Sequence, residues 1–175
     1  EVASLSAGFN ADEMEIVQKA VEGALARQQP ERAWEALKDS DQDVPWVYGW
    51  KATLLEHQGK PEEADELLRR GRENHPDDVN LMFLEAAIYI RRSDAERAIP
   101  LIERILEVEP TNRGALKMRS DLNFEHASID DAIRDLEAVL ELEPEDPSTG
   151  LDLASAYYAA RRYADCLDVC VYWEQ

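Results

Sequence analysis

Histidine, cysteine and glycine are scarce in this 175-residue chain, and each scarcity closes off a kind of chemistry. The three histidines, His57, His75 and His126, stand apart. No pair is spaced to put two imidazoles on one helical face, and no cysteine stands near to complete a zinc set, so they read as ordinary surface or groove residues. The two cysteines, Cys166 and Cys170, imply no disulfide framework. Four apart on a helix, their Cβ vectors point the same way, a poor geometry for a cross-link, and two buried thiols are expected. The seven glycines are dispersed, so no phosphate-cradling loop forms and no nucleotide is implied; Gly59 reads as a turn between helices.

Long apolar runs are also missing. Nothing approaches the roughly 20 residues that cross a bilayer, and the N-terminus lacks the basic start and apolar stretch of a signal peptide. No membrane insertion is expected, and the chain reads as soluble. It opens on Glu1 rather than Met, as a processed or excised piece does, so the compartment stays open. Basic residues are outnumbered, 19 against 38 acidic, for a net charge of −19 that repels a phosphate backbone and anionic lipid. Nucleic acid is not an expected partner. The acidity is spread along the chain, which favours a solvated outer face; attraction to a basic partner is the alternative.

Abundant carboxylates do not by themselves make a catalyst. Glu62 and Glu63, Asp130 and Asp131, and Glu141 to Asp146 read as solvated, because acid–base work needs two carboxyls in contrasting environments within a cleft. Asp39, Asp41 and Asp43 lack the glycine turn and distal glutamate of a calcium loop, and no serine stands in a recognisable nucleophile arrangement. No catalytic residue, metal or cofactor is expected.

What the chain does have is a period. An alanine followed twelve residues later by a proline occurs as Ala33 and Pro45, Ala64 and Pro76, Ala98 and Pro110, and Ala132 and Pro144. The last three pairs repeat every 34 residues and the first interval is 31, the mark of stacked supersecondary units. Each unit reads as two amphipathic helices. Leu81, Leu84, Ala87 and Ile88 recur at helical spacing, a break follows at Arg92 to Asp94, and Ala98, Ile102 and Ile105 begin a second stripe. Pro76, Pro110 and Pro144 end the second helices. Asp77 or Asp78, Thr111 or Asn112, and Asp146 are placed to cap the helices that follow, with Pro147 at a first position. Pro30 and Pro61 start two second helices. Pro100 falls inside one, where a kink is expected.

These residues resemble the tetratricopeptide repeat family over almost the whole chain. The family's small residue in the first helix is met by Ala52, Ala86, Ser120 and Ala154, and its nearby aromatic by Tyr89 and Tyr157, with Leu55 and Asn123 departing. The alanine of the second helix is met by Ala64, Ala98 and Ala132, with Cys166 as the small core residue in the last unit. The resemblance implies an all-α fold, a right-handed superhelical array of antiparallel helix hairpins (an α-solenoid). After a lead-in over 1–13, one domain is expected over 14–175, in units of about 14–44 (degenerate), 45–78, 79–112, 113–146 and an incomplete 147–175.

The resemblance also implies a concave groove lined by the first helices. Its candidate binding residues are Trp46, Thr53, Phe83, Ile90, Lys117, Asp121, Phe124, Leu151 and Tyr158. Ile90, Phe124 and Tyr158 form an apolar stripe that suits a peptide; packing of the array itself is the other reading. Gly49, Thr53, Phe83 and Ala87 stand where a clamp for a chaperone's C-terminal carboxylate needs basic and amide groups, so a hydrophobic or basic segment is the better fit. The expected function is a non-catalytic scaffold for a protein or peptide. One alternative is self-assembly into a homo-oligomer through the last hairpin, where Tyr172 and Trp173 leave apolar surface. The other is an interaction arm of a larger enzyme or assembly.

Overall fold

A computed structural model of the chain describes residues 11–27, 29–37 and 43–173. They form ten helices: α1 (Ala11–Ala26), α2 (Pro30–Leu37), α3 (Pro45–His57), α4 (Pro61–Asn74), α5 (Val79–Arg91), α6 (Ala95–Val108), α7 (Arg113–Glu125), α8 (Ile129–Leu142), α9 (Pro147–Ala159) and α10 (Tyr163–Trp173). The fold is all-helical, as expected. α1 begins at Ala11, inside the stretch read as lead-in. The chain divides into two compact units, residues 1–88 and 89–175, with the division falling within α5. In the first, α1 pairs with α2 and α3 with α4; in the second, α7 pairs with α8 and α9 with α10.

The helix starts follow local chemistry. Asp78 accepts a hydrogen bond from the Leu81 amide at 2.8 Å, Asn112 from Ala115 at 3.0 Å and Asp146 from Ser148 at 3.2 Å, each satisfying an amide that a helix start leaves open. Asp94 does the same for α6 through Arg97. Pro30, Pro45, Pro61 and Pro147 open α2, α3, α4 and α9. Pro76, Pro110 and Pro144 each stand just beyond a second helix. α6 is unbroken across Pro100; the ring is exposed, so the backbone bond it removes lies toward solvent.

The turns that close four hairpins share one conformation. Gly59, Ser93, Ala127 and Arg161 have φ of 72°, 58°, 61° and 60°, in the left-handed region. The following amides, those of Lys60, Asp94, Ser128 and Arg162, donate back to the carbonyls of Leu55, Tyr89, Asn123 and Tyr157 at 3.0, 2.9, 2.8 and 2.9 Å. This is the Schellman stop, and it satisfies carbonyls that a helix end leaves open. Only the first of the four uses glycine; the other three hold a side chain where L-residues are strained.

Packing explains the recurring small residues. Ala52, Ala64, Ala86, Ala98 and Ala132 have no exposed surface, and Ser120 is buried in the same role. In the first unit, Val21, Ala24, Ala33, Leu37, Val47 and Leu54 form a core with Trp34, Trp46 and Trp50 against it. Gly49 is part of this packing: a Cβ there would run into Leu84 of α5. His75, read from sequence as a surface residue, is half-buried, its Nε2 3.0 Å from Asp43 Oδ1. Asn74 and Tyr48 donate to the same carboxylate, so the end of α4 is tied to the approach to α3. These bonds, Asn74 first, hold the Asp43 carboxyl below its ordinary range.

In the second unit, Ile133, Leu136, Leu153, Ala156 and Tyr157 form the core, and Cys166 and Val169 of α10 pack against it. The expected burial of both thiols is corrected here. Cys166 is half-buried and Cys170 exposed, because α10 meets α9 on one side only and no described helix covers the other.

The shared turn gives a direct test. Ala127→Gly should stabilise the protein by about 1 kcal/mol, while Gly59→Ala, where a Cβ meets nothing, should cost about as much. Urea unfolding followed by circular dichroism checks both; equal stability of all three proteins would mean the turns carry no strain.

Candidate functional site

The residues expected to line a groove fall in both units. Trp46, Thr53 and Phe83 belong to the first and Ile90, Lys117, Asp121, Phe124, Leu151 and Tyr158 to the second. Trp46 packs against the first unit's core, and Thr53 is buried with its hydroxyl donating to the Gly49 carbonyl at 2.9 Å. Both contribute to the packing of this unit. Phe83 is half-buried.

The second unit holds a cleft of about 330 Å³, lined by Ile90 of α5, Ser120, Asp121, Phe124 and Glu125 of α7, Leu136 of α8, and Asp152 and Ser155 of α9. Helical spacing aligns the lining residues with neighbours on the same helices. Lys117, Asp121 and Phe124 stand at i, i+4 and i+7 along α7, and Leu151, Ser155 and Tyr158 repeat that spacing along α9. Phe124 is 41% exposed, Leu151 68% and Tyr158 67%, while Leu136 is buried at the base. Tyr158 makes an edge contact with Tyr163 of α10, ring centres 5.6 Å apart.

Lys117 fastens one wall to the other. Its ammonium donates to Asp152 Oδ2 at 2.8 Å and to the hydroxyls of Ser148 and Thr149 at 3.3 and 3.4 Å. Lys117 of α7 is thus tied to α9. Asp121, beside it, has its carboxyl pushed above the ordinary range by desolvation and by the charge of Asp152, against the pull of Lys117. Among the described residues neither Asp121 nor Glu125 has a cation at ion-pair distance.

Two polar arrangements behind the cleft were not visible in the sequence. Asp135 of α8 is buried, and Arg119 grips both its oxygens, Nε at 2.9 Å and Nη2 at 2.6 Å. Asn123, which departs from the aromatic pattern, donates to the same carboxylate at 3.4 Å. Tyr157, which keeps the pattern, sends its hydroxyl to Glu137 Oε1 at 2.5 Å, under the guanidinium of Arg162 at 4.6 Å from the ring centre.

Larger concavities lie elsewhere among the described residues. One, of about 580 Å³, is bounded by the segment Glu143 to Pro147 and Tyr172. Another, of about 490 Å³, lies between Trp34, Lys51 and Leu55 and the acidic start of α4 in the first unit. Neither includes a residue of the apolar stripe. Tyr163, Leu167, Val171 and Tyr172 of α10 are also exposed, and the side chain of Trp173 lies outside the described residues. Among the described residues no cluster of His, Cys, Asp and Glu is placed to hold a metal ion, and no helix is long and apolar enough to cross a membrane.

Paired helices with small residues at their crossings and a shared turn define a helical-hairpin repeat protein. The chain matches the tetratricopeptide repeat family over residues 51–113 and 118–168, and it belongs to that family. Comparison with curated proteins finds no match. Solved structures share the fold. MamA (41-end) from Desulfovibrio magneticus RS-1 superposes with a TM-score of 0.71 at 14% identity, covering 93% of each chain. A protein described as Pseudomonas aeruginosa pilF gives 0.75 at 17% identity, over 90% of this chain and 75% of that one. A tetratricopeptide repeat protein from Parabacteroides merdae ATCC 43184 gives 0.69 at 18%, over 93% and 66%. Members of the family are commonly protein-interaction scaffolds.

Tyr157 gives the second unit a pH signature. Burial, then the Glu137 bond, pushes its hydroxyl from the ordinary 10.0 up to about 12. A raised pKa favours the protonated folded form, so this contribution is complete below pH 10 and is lost as pH rises through about 12. Wild type should lose stability over that interval more steeply than Tyr157→Phe in thermal melts; parallel curves would show that the hydroxyl is not so held.

Proposed function

We propose that this protein is a non-catalytic interaction module that takes a protein or peptide segment into the cleft of its second unit. The observation that carries the reading is the cleft itself. An exposed aromatic, Phe124, stands beside Ile90 above a buried leucine floor, with carboxylates around it. Apolar anchors ringed by polar groups are what peptide-binding surfaces use, since the anchor supplies burial and the ring supplies orientation. Tyr158 and Leu151 extend the apolar contact along α9, and Phe83 provides a comparable side chain in the first unit. The rigid hairpins hold these residues with little ordering left to do on binding.

A second reading is supported by α10, whose exposed Tyr163, Leu167, Val171 and Tyr172 suit association with another copy. Light scattering over a wide concentration range with Leu167→Glu separates the two readings. A wild-type oligomer dispersed by the variant favours association, and a monomer throughout removes it.

The cleft reading is tested by selecting peptides from a displayed library on the wild-type protein and titrating them against variants. Phe124→Ala should weaken binding at least about tenfold, the loss of a well-buried aromatic contact, and Tyr158→Ala by a smaller factor. Phe124 is 41% exposed and Tyr158 67%, so thermal melts should stay close to wild type. Peptides whose affinity ignores Phe124 would place binding elsewhere.

A further inference from the structure

We infer that the segment bound in the second unit's cleft carries an apolar side chain next to a lysine or arginine, and that Asp121 and Glu125 are the groups that select the cation. The inference rests on the cleft being the binding site and adds the chemistry of its occupant.

The hydrogen-bonding capacity of the walls is one-sided. Ser120 already donates its hydroxyl proton to the Lys117 carbonyl at 2.7 Å, and Ser155 donates its own to the Leu151 carbonyl at 2.9 Å. An ammonium group has three protons, and those of Lys117 are matched by three acceptors, Ser148, Thr149 and Asp152. Among the side chains lining the cleft, what is left to offer a ligand is therefore acceptor capacity, most of it on ionised carboxylates. A ligand that brings acceptors, such as a carboxylate or phosphate, finds no side-chain donor there and meets like charge. One that brings several N–H donors and positive charge is matched on both counts.

The charges are also uneven. Asp152 has Lys117 at 2.8 Å, but Asp121 and Glu125 stand one turn apart on α7 with no cation between them, a like-charge spacing that disfavours the empty helix. The raised carboxyl of Asp121 reports the same imbalance, with desolvation the largest cause and Asp152 and Glu125 adding to it. A partner's ammonium or guanidinium set between these carboxylates relieves both effects. Phe124 lies between them in sequence, so the methylene stem of that side chain, or a guanidinium plane, has an aromatic surface to lie on. Ile90 and Leu136 account for the apolar neighbour. Net charge alone does not carry the inference, because the acidity is spread over the whole chain whereas this combination of saturated donors, open carboxylates and exposed ring is local.

Fluorescein-labelled peptides of equal length test it: one alternating leucine and arginine, one with glutamate in place of arginine, and one with serine in place of leucine. Fluorescence anisotropy should show the leucine–arginine peptide binding wild type at least about tenfold tighter than either of the others. Asp121→Lys with Glu125→Lys should lose that peptide and gain the glutamate one, while Glu141→Gln, on the exposed side of α8, should change neither. Equal binding of the arginine and glutamate peptides overturns the inference yet leaves the cleft reading standing if Phe124→Ala still weakens both. Equal binding of the leucine and serine peptides also overturns it, since that marks attraction of any polycation. Binding that depends on Asp121 but ignores Phe124 removes the cleft reading itself.

Discussion

The close crossing of paired helices at small residues is the constraint on which the rest of this structure depends. A two-helix hairpin has an apolar stripe on each helix and too little area to bury both faces alone. Where Ala64, Ala98 and Ala132 stand fully buried, the backbones approach closely enough for flanking Ile102, Ile105, Ile133 and Val139 to interlock. A larger side chain at such a crossing separates the helices and forfeits those contacts. Gly49 shows the limit of the same rule, since Leu84 occupies the place of its missing Cβ.

Tight crossings oblige the chain to turn quickly, and the turns accept strain to do so. Ser93, Ala127 and Arg161 adopt the left-handed conformation that Gly59 adopts without penalty. The repeated return bonds to Tyr89, Asn123 and Tyr157 show that geometry, more than residue type, governs these corners. Packing of the hairpins holds each residue in a conformation it would rarely choose alone.

Charge is handled locally even though the whole chain is strongly acidic. Asp135 is buried and answered by a two-pronged guanidinium, Asp152 by Lys117, and Asp43 by a neutral amide and neighbouring rings. A buried carboxylate left unanswered is costly, so these partners accompany the places where repeat positions depart from apolar residues. Asn123 illustrates this, an amide in an aromatic's place that donates to the Asp135 carboxylate. In the cleft beside it, Asp121 and Glu125 have no cation at ion-pair distance among the described residues.

The periodic features were legible from residue order alone: the helices, the proline stops, the aspartate and asparagine caps and the family. These depend on neighbours a few residues apart, and the repeat shows each one several times. The destination of individual side chains was not legible. Thr53 and Asp121 are both polar residues of first helices, yet one turns inward onto its own backbone and the other rims a cleft. Nor did residue order show that Lys117 reaches Asp152, Ser148 and Thr149, more than thirty positions away. Cys170 read as buried, but burial requires a covering helix, and none is described on that side of α10. Periodicity determined which residues form helices and which stripes are apolar, because a helix is a local structure with a fixed pitch. Which stripes are covered, and which polar groups keep capacity for a ligand, only the tertiary structure decided, because both depend on atoms brought together from distant parts of the chain.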